Sequence, residues 1–228
     1  MTYWHLHSID WLSTLPEPFS AQLRDQTAVK TYTEAQMIFA PDPDPDTVFL
    51  LEKGIARIYR LSAEGEEFTL TYIGRGEVFG ELAAITNRPR ESFAQAVTPC
   101  TVLSMPRGVF VEAMQAAPQV GFTVSKQIAN RTMRIETRAE GLVFHSVAAR
   151  LAGVLVMLLD DFGDIRDGHA TLSLHLTQAE FATLVGAARP TVNQAFQQLR
   201  HAGLVQLTRG RITVGNMQSL RDFAHDEG

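Results

Sequence analysis

Between Phe181 and Arg221 every Lys, Arg, Asp or Glu position is an arginine: Arg189, Arg200, Arg209, Arg211 and Arg221. A guanidinium stays charged at any cellular pH and presents a planar fork of N–H donors that matches a phosphate. The rest of the chain runs the other way, because the 228 residues carry a formal net charge of −5. A cationic segment on an acidic protein is the electrostatic footprint of phosphate contact, and an acidic remainder limits indiscriminate binding to nucleic acid.

The elements that must position these arginines follow from the surrounding residues. Thr177 to Gln197, TQAEFATLVGAARPTVNQAFQ, predicts two short helices joined by a tight turn. Thr177 with Glu180 three residues on forms a capping box. Ala182 is small where two helices would cross, and Gly186 tolerates the left-handed angles of a turn. Val192 and Phe196, four apart, give the second helix an apolar stripe. This is the spacing of a helix-turn-helix, whose second helix lies in the DNA major groove. A helical hairpin in an ordinary core has the same spacing; the arginine-only charge favours DNA. Leu204 to Val214 then predicts two short strands around Arg209-Gly210. Such a hairpin is a wing, with Arg209 and Arg211 in reach of the DNA backbone or minor groove.

Composition bounds the remainder. With 45% hydrophobic residues the chain is globular, and its single cysteine, Cys100, rules out an internal disulfide framework or a multi-cysteine metal site. The N-terminus lacks a basic region followed by an apolar run, and no stretch approaches 18 apolar residues. A cytoplasmic location without membrane contact is the expectation.

Three zones are expected. Residues 1–117 form a strand-rich domain, in which Ile55–Leu61 and Phe68–Tyr72 alternate around a Glu64-Gly65 turn. The proline-rich segment 41–46 is a loop there. Residues 118–143 form a long helix. Its Val120, Val124, Ile128, Ile135 and Leu142 stand 4, 4, 7 and 7 apart, a narrow seam that points to pairing with a second copy. Residues 144–228 hold a Ser146-capped helix from Val147 to Leu159, a charged loop from Asp160 to Gly168, a strand from Ala170 to Leu176, then the helix-turn-helix and wing. The fold class is α+β.

A strand-rich domain containing Gly76-Glu77-Val78-Phe79-Gly80-Glu81-Leu82, a long helix and a winged helix-turn-helix together resemble the CRP/FNR family of bacterial transcription regulators, over about Leu12 to Val214. The resemblance implies a β-roll of the cyclic-nucleotide-binding type, a homodimer and a near-palindromic operator on double-stranded DNA. It implies that Arg189 contacts guanine O6 and N7. The family's following glutamate and arginine are replaced by Pro190 and Gln194, so the operator differs from that of the cyclic-AMP receptor protein. Thr177, Gln178, Thr191, Asn193 and Gln197 are further candidates for base or phosphate contact. The loop Asp160 to Gly168 corresponds to a surface that touches RNA polymerase in the family, and Phe144-His145-Ser146 to a hinge.

The effector segment departs from the family. Gly80, Glu81 and Leu82 match its nucleotide cradle. Counted without gaps, the phosphate-binding Arg-Ser pair falls on Glu91-Ser92, with Arg90 one position early. The base-contacting hydroxyls fall on Ile135 and Glu136. A glutamate facing a phosphate is repulsive, so cAMP is not the expected effector, although a one-residue loop adjustment would restore Arg90. The seven histidines leave a gap from Ser8 to Phe144. That gap removes the ligand set of a cupin-type metalloenzyme and of a haem site in the strand zone. G-x-S-x-G, H-E-x-x-H and P-loop motifs are absent. The expectation is a non-enzyme with no metal and no known cofactor, its small-molecule effector unidentified. The alternatives are a regulator that responds to cAMP or another nucleotide, and a cyclic-nucleotide-binding-like module that regulates a protein partner.

Overall fold

The computed structural model describes residues 25–166, 169–172, 174–208 and 210–225. They fall into two compact units divided inside one helix, between Met133 and Arg134. That point lies ahead of the boundary expected at residue 144.

The first unit is a β-sandwich. Its strands are β1 (Ala28–Tyr32), β2 (Met37–Phe39), β3 (Thr47–Lys53), β4 (Ala56–Leu61), β5 (Glu67–Ile73), β6 (Val78–Phe79), β7 (Phe93–Ala96) and β8 (Cys100–Pro106). One sheet has the order β1-β8-β3-β6 and the other β2-β7-β4-β5, with antiparallel pairing throughout. Phe39, Phe49, Leu51, Ala56, Ile73, Phe79, Ala94 and Val102, drawn from both sheets, share one buried cluster. Strand β3 shows why its sequence reads as a continuous apolar run. Phe49 and Leu51 point into the sandwich, while Val48 and Leu50 join a second cluster on the other face.

That second cluster is covered by helices. A short helix α1 (Glu81–Thr86) follows β6, α2 (Arg107–Ala116) follows β8, and the long helix α3 runs Pro118–Phe144. Val109, Phe110 and Ala113 of α2 pack with Val120 and Val124 of α3 against Val48, Leu50 and Met105. Helix α2 was not anticipated, because β8 passes into it without an intervening turn.

This packing corrects the expected dimer seam. Val120 and Val124 are buried in their own unit and Ile128 packs against the same cluster, so these three side chains face the sandwich rather than a partner. The stripe identified an apolar face; it did not identify what covers it. Ile135 and Leu142 are exposed. The opposite face of α3 carries Phe122, Ala129, Met133, Glu136, Glu140 and Val143 at steps of 7, 4, 3, 4 and 3, all exposed. Phe122 and Val143 keep 73% and 74% of their surface free, which is unusual for large apolar side chains on one helix face.

The second unit contains the end of α3 and then α4 (Val147–Phe162), β9 (Gly163–Arg166), β10 (His169–Leu172), α5 (Gln178–Val185), α6 (Arg189–His201), β11 (Gln206–Thr208), β12 (Arg211–Val214) and α7 (Met217–Ala224). Ser146 caps α4 by accepting from the Ala149 N–H. Leu151, Leu155, Leu158 and Leu159 of α4 are fully buried, as the all-round apolar sequence of this helix requires. The strands form a sheet of order β11-β12-β10-β9. The expected charged loop is therefore in part a strand, with Gly163–Arg166 paired to β10. Strand β10 is shorter than the expected Ala170–Leu176. Helix α7 also lay outside the expectation, although Asn216 caps it and Met217, Leu220 and Ala224 are buried at helical spacing.

Candidate nucleic-acid interface and effector segment

The helix-turn-helix forms as its residues dictate. The Thr177 hydroxyl accepts from the Glu180 N–H at 3.2 Å and the Glu180 carboxylate accepts from the Thr177 N–H at 2.6 Å, so both halves of the capping box are made. Helix α5 ends at Gly186 in the left-handed region, φ 69° and ψ 46°. Helix α6 starts after Ala188 with Pro190 in its first turn, where the missing N–H costs little. Phe181 of α5 meets Phe196 of α6 edge-to-face at 5.1 Å, and Val192, Ala195 and Leu199 complete the buried face.

With that face fixed, the opposite one is set. Arg189, Pro190, Asn193, Gln194, Gln197 and Arg200 are exposed, Thr191 is half-buried, and no acidic residue stands among them. Thr177 is exposed and Gln178 half-buried at the leading end of α5. Arg211 is exposed at the start of β12, where Thr208 pairs with it across the turn. Arg209 lies outside the described residues. The arrangement is an uncapped helix with a polar, cation-bearing outer face beside a two-stranded hairpin. It is equipped for hydrogen bonding to base edges and phosphates.

Two aspartates of the expected polymerase-facing loop are already engaged. Asp160 accepts from Arg221 at 2.6 Å, and Asp161 forms a two-pronged pair with Arg134 at 2.5 and 2.7 Å. Asp164 pairs with Arg166 on the surface.

In the sandwich the Gly76–Leu82 segment is held by α3. The Gln127 side chain accepts from the Val78 N–H and donates to the Gly76 carbonyl, each at 3.0 Å. One turn later Arg131 donates to the Val78 carbonyl at 2.6 Å and pairs with Glu81 at 3.1 Å and Glu77 at 3.3 Å. Glu81 is 3% exposed. Burial pushes its carboxyl above the usual carboxylate range, against the pull of the Arg131 charge. Sequence reasoning missed Gln127 and Arg131. Their signal was present, since they continue the Val120–Val124 stripe at helical spacing as polar residues on a buried face.

Arg90 and Glu91 fall opposite to the ungapped expectation. Glu91 is exposed and pairs with Arg60 at 2.7 Å. Arg90 is buried, donating to the Thr47 carbonyl at 2.6 Å and to the Gly80 carbonyl at 3.4 Å. Its guanidinium lies 4.3 Å from the Phe39 ring centre. A two-way backbone bridge to Asp42 fixes it, ahead of β7, where strand alternation does not apply. Gly80 has φ 75°, which favours glycine, and a Cβ there would sit tightly, 3.1 Å from both Arg90 Nη2 and Phe49 Cδ2. Ser92 is half-buried and Leu82 is 57% exposed. Ile135 and Glu136 are exposed on α3, in the other compact unit. No group of three or more His, Cys, Asp or Glu side chains suited to a metal occurs among the described residues. Nor is any helix among them long and apolar enough to cross a membrane.

Glu81 and Arg131 yield a prediction with a definite sign. Arg131→Gln leaves Glu81 buried without its cation, at an expected cost of about 3–5 kcal/mol. The folded state then holds the Glu81 proton more tightly than the unfolded chain, so stability is retained at low pH and lost as pH rises through the raised value. Urea unfolding at pH 5 and pH 8 should show a larger deficit at pH 8; an equal deficit at both would refute the coupling.

Comparison with known proteins agrees with this geometry. Residues 29–117 match the model of the cyclic nucleotide-binding domain and residues 149–223 that of the Crp-like helix-turn-helix domain. The chain is 29% identical, over 88% of its length and 89% of the relative's, to a CRP-like cAMP-activated global transcriptional regulator of Mycobacterium tuberculosis. It is 28% identical to a global nitrogen regulator of Synechocystis, covering 84% of this chain and 86% of that one. Among solved structures it superposes on a CooA mutant from Carboxydothermus hydrogenoformans with a TM-score of 0.78, at 24% identity and 97% coverage of both chains. FixK2 from Bradyrhizobium japonicum superposes at 0.75, with 20% identity, 89% of this chain and 99% of that one. A cyclic-nucleotide-binding-type β domain joined through a long helix to a Crp-like helix-turn-helix places this chain in the CRP/FNR family of transcription regulators.

Proposed function

We propose that this regulator binds a near-palindromic operator as a homodimer and that cAMP does not control it. The observation that carries DNA reading is the outer face of α6, where Arg189, Asn193, Gln194 and Gln197 are exposed with no acidic neighbour on the helix. Arg189 is the guanine reader, and Gln194 suits adenine N6 and N7. Thr177, Gln178 and Thr191 contact phosphate or base, as do Pro190 by its shape and Arg209 and Arg211 from the wing. A merely solvated helix face has no need of this one-sided charge.

Dimerisation is assigned to the outward face of α3. Phe122, Ala129, Met133 and Val143 repeat near the heptad spacing of a paired helix, and two recognition helices one DNA turn apart then read two half-sites. RNA polymerase is the partner that the family suggests. With Asp160 and Asp161 held by Arg221 and Arg134, the β9–β10 hairpin is what that region has left to present.

Independence from cAMP is supported by occupied groups: Glu81 by Arg131, and the Arg90 Nη2 by two backbone carbonyls. One observation favours a second reading. Arg90 is buried beside Gly80, so a rearrangement that freed its guanidinium would offer it to a phosphate or carboxylate, and the Mycobacterium tuberculosis relative is described as cAMP-activated.

Fluorescence anisotropy at fixed salt, using fragments of DNA upstream of the protein's own gene, tests these assignments. Sequence-selective binding unchanged by cAMP is expected; binding that requires cAMP establishes the second reading. Arg189→Ala should lose about 1–3 kcal/mol of discrimination at a single base pair, and intact discrimination at every position sinks its role. Met133→Lys should yield monomers in sedimentation while the β-sandwich keeps its melting temperature. A dimer that survives this change is built on another surface.

A further inference from the structure

The last turns of α3 make contacts within the DNA-reading unit that neither a base reader nor a dimer seam requires. The final carbonyls of any α-helix lack intrahelical partners and carry the negative end of its dipole. At the end of α5 two of these are taken by arginines from other helices. Arg138 of α3 donates to the Leu184 carbonyl through both Nε, at 3.1 Å, and Nη2, at 2.8 Å. Arg150 of α4 reaches the Gly186 carbonyl at 3.4 Å and, through its other terminal nitrogen, the His145 carbonyl at 3.4 Å.

One turn beyond Arg138, Leu142 meets the turn itself. A Cβ on Gly186 would stand 2.9 Å from Leu142 Cδ2, so the leucine packs directly on the turn, whose positive φ favours glycine. One turn before Arg138, Arg134 holds Asp161 in the last turn of α4. Arg134, Arg138 and Leu142 therefore form a single stripe at four-residue steps. It lies on the face of α3 opposite Met133, Glu140 and Val143.

We propose that Arg138 is the positioning residue that fixes the helix-turn-helix to α3, so that any turn of α3 about its axis is delivered to the recognition helix. The chain has little slack to absorb such a turn. Leu184 accepts from Arg138 and Arg189 begins α6 only five residues later, with Gly186 clamped in between. Arg134 does not have this role, because its partner lies on α4. The inference rests on the assignment of α3 as the dimer helix: its outer face would meet the partner and its inner face would hold the DNA reader.

The test uses the full chain with Arg138→Gln and Arg138→Lys, each checked by thermal melting and sedimentation before operator affinity is measured over a salt series. Arg138→Gln should bind the operator about tenfold more weakly, with Lys intermediate, the dimer intact and the salt slope unchanged. An unchanged affinity in folded Arg138→Gln overturns the proposal. So does a flattened salt slope, which would make Arg138 a phosphate contact instead. If Arg138→Gln melts early, Leu142→Ala on the Arg138→Lys background decides. Losses that fail to add place both residues on one route, and losses that add overturn it. A monomeric wild type would defeat the dimer assignment alone, since the affinity ratio between wild type and variant still measures what Arg138 does.

Discussion

A carboxylate buried to 3% exposure organises the β domain. Glu81 cannot hold its charge in that setting without a cation, and the sandwich's own nearby guanidinium, Arg90, is engaged by the Thr47 and Gly80 carbonyls and pairs with no carboxylate there. The cation comes from α3 as Arg131, whose guanidinium also takes the Val78 carbonyl and Glu77. One turn earlier Gln127 satisfies the backbone of Gly76 and Val78. The apolar contacts of Val120 and Val124 hold the helix against the sheet, and these polar bonds set its register along the β6–α1 segment. Fixing the register of α3 at Arg131 also fixes which of its residues within this unit face away from the sandwich, Phe122, Ala129 and Met133 among them.

The DNA-reading unit is organised by the opposite economy of charge. Its core is hydrocarbon: Phe181 against Phe196, and the leucines of α4. Its acidic groups near the interface are tied internally, Glu180 to its own helix cap and Asp160 and Asp161 to arginines. What remains outward on α6 is neutral polar or cationic. A protein with net charge −5 thus presents a locally cationic face without adding lysines.

Much of this was legible because it is local. The Thr177–Glu180 cap, the Gly186 turn and the β4–β5 hairpin depend on residues a few positions apart, and each forms where its signals stand. What was not legible depends on distant pairings. Arg90 is placed by its backbone bridge to Asp42, 48 residues away, and an ungapped count has no access to that. The strand at Gly163–Arg166 reads as a charged loop because it is only four residues long, opens on a glycine and carries one apolar side chain among charged neighbours, and only the pairing with β10 makes it a strand. Val120 and Val124 are apolar and periodic. Periodicity cannot say whether a sheet or a second helix will cover them, and the structure assigns them to the sheet.

The two helices of the DNA reader begin in unlike ways. Helix α5 arrives with its first amides already satisfied by Thr177 and Glu180, whereas α6 starts at Ala188 with no side-chain cap. Its leading N–H groups, less the one that Pro190 lacks, point outward from the positive end of the helix dipole. A DNA phosphate seated there would supply the acceptor that the sequence withholds. The recognition helix would then be completed by its own ligand, firmer at its leading turn when bound than when free, and amide hydrogen exchange in that turn would slow on binding for reasons unrelated to base sequence.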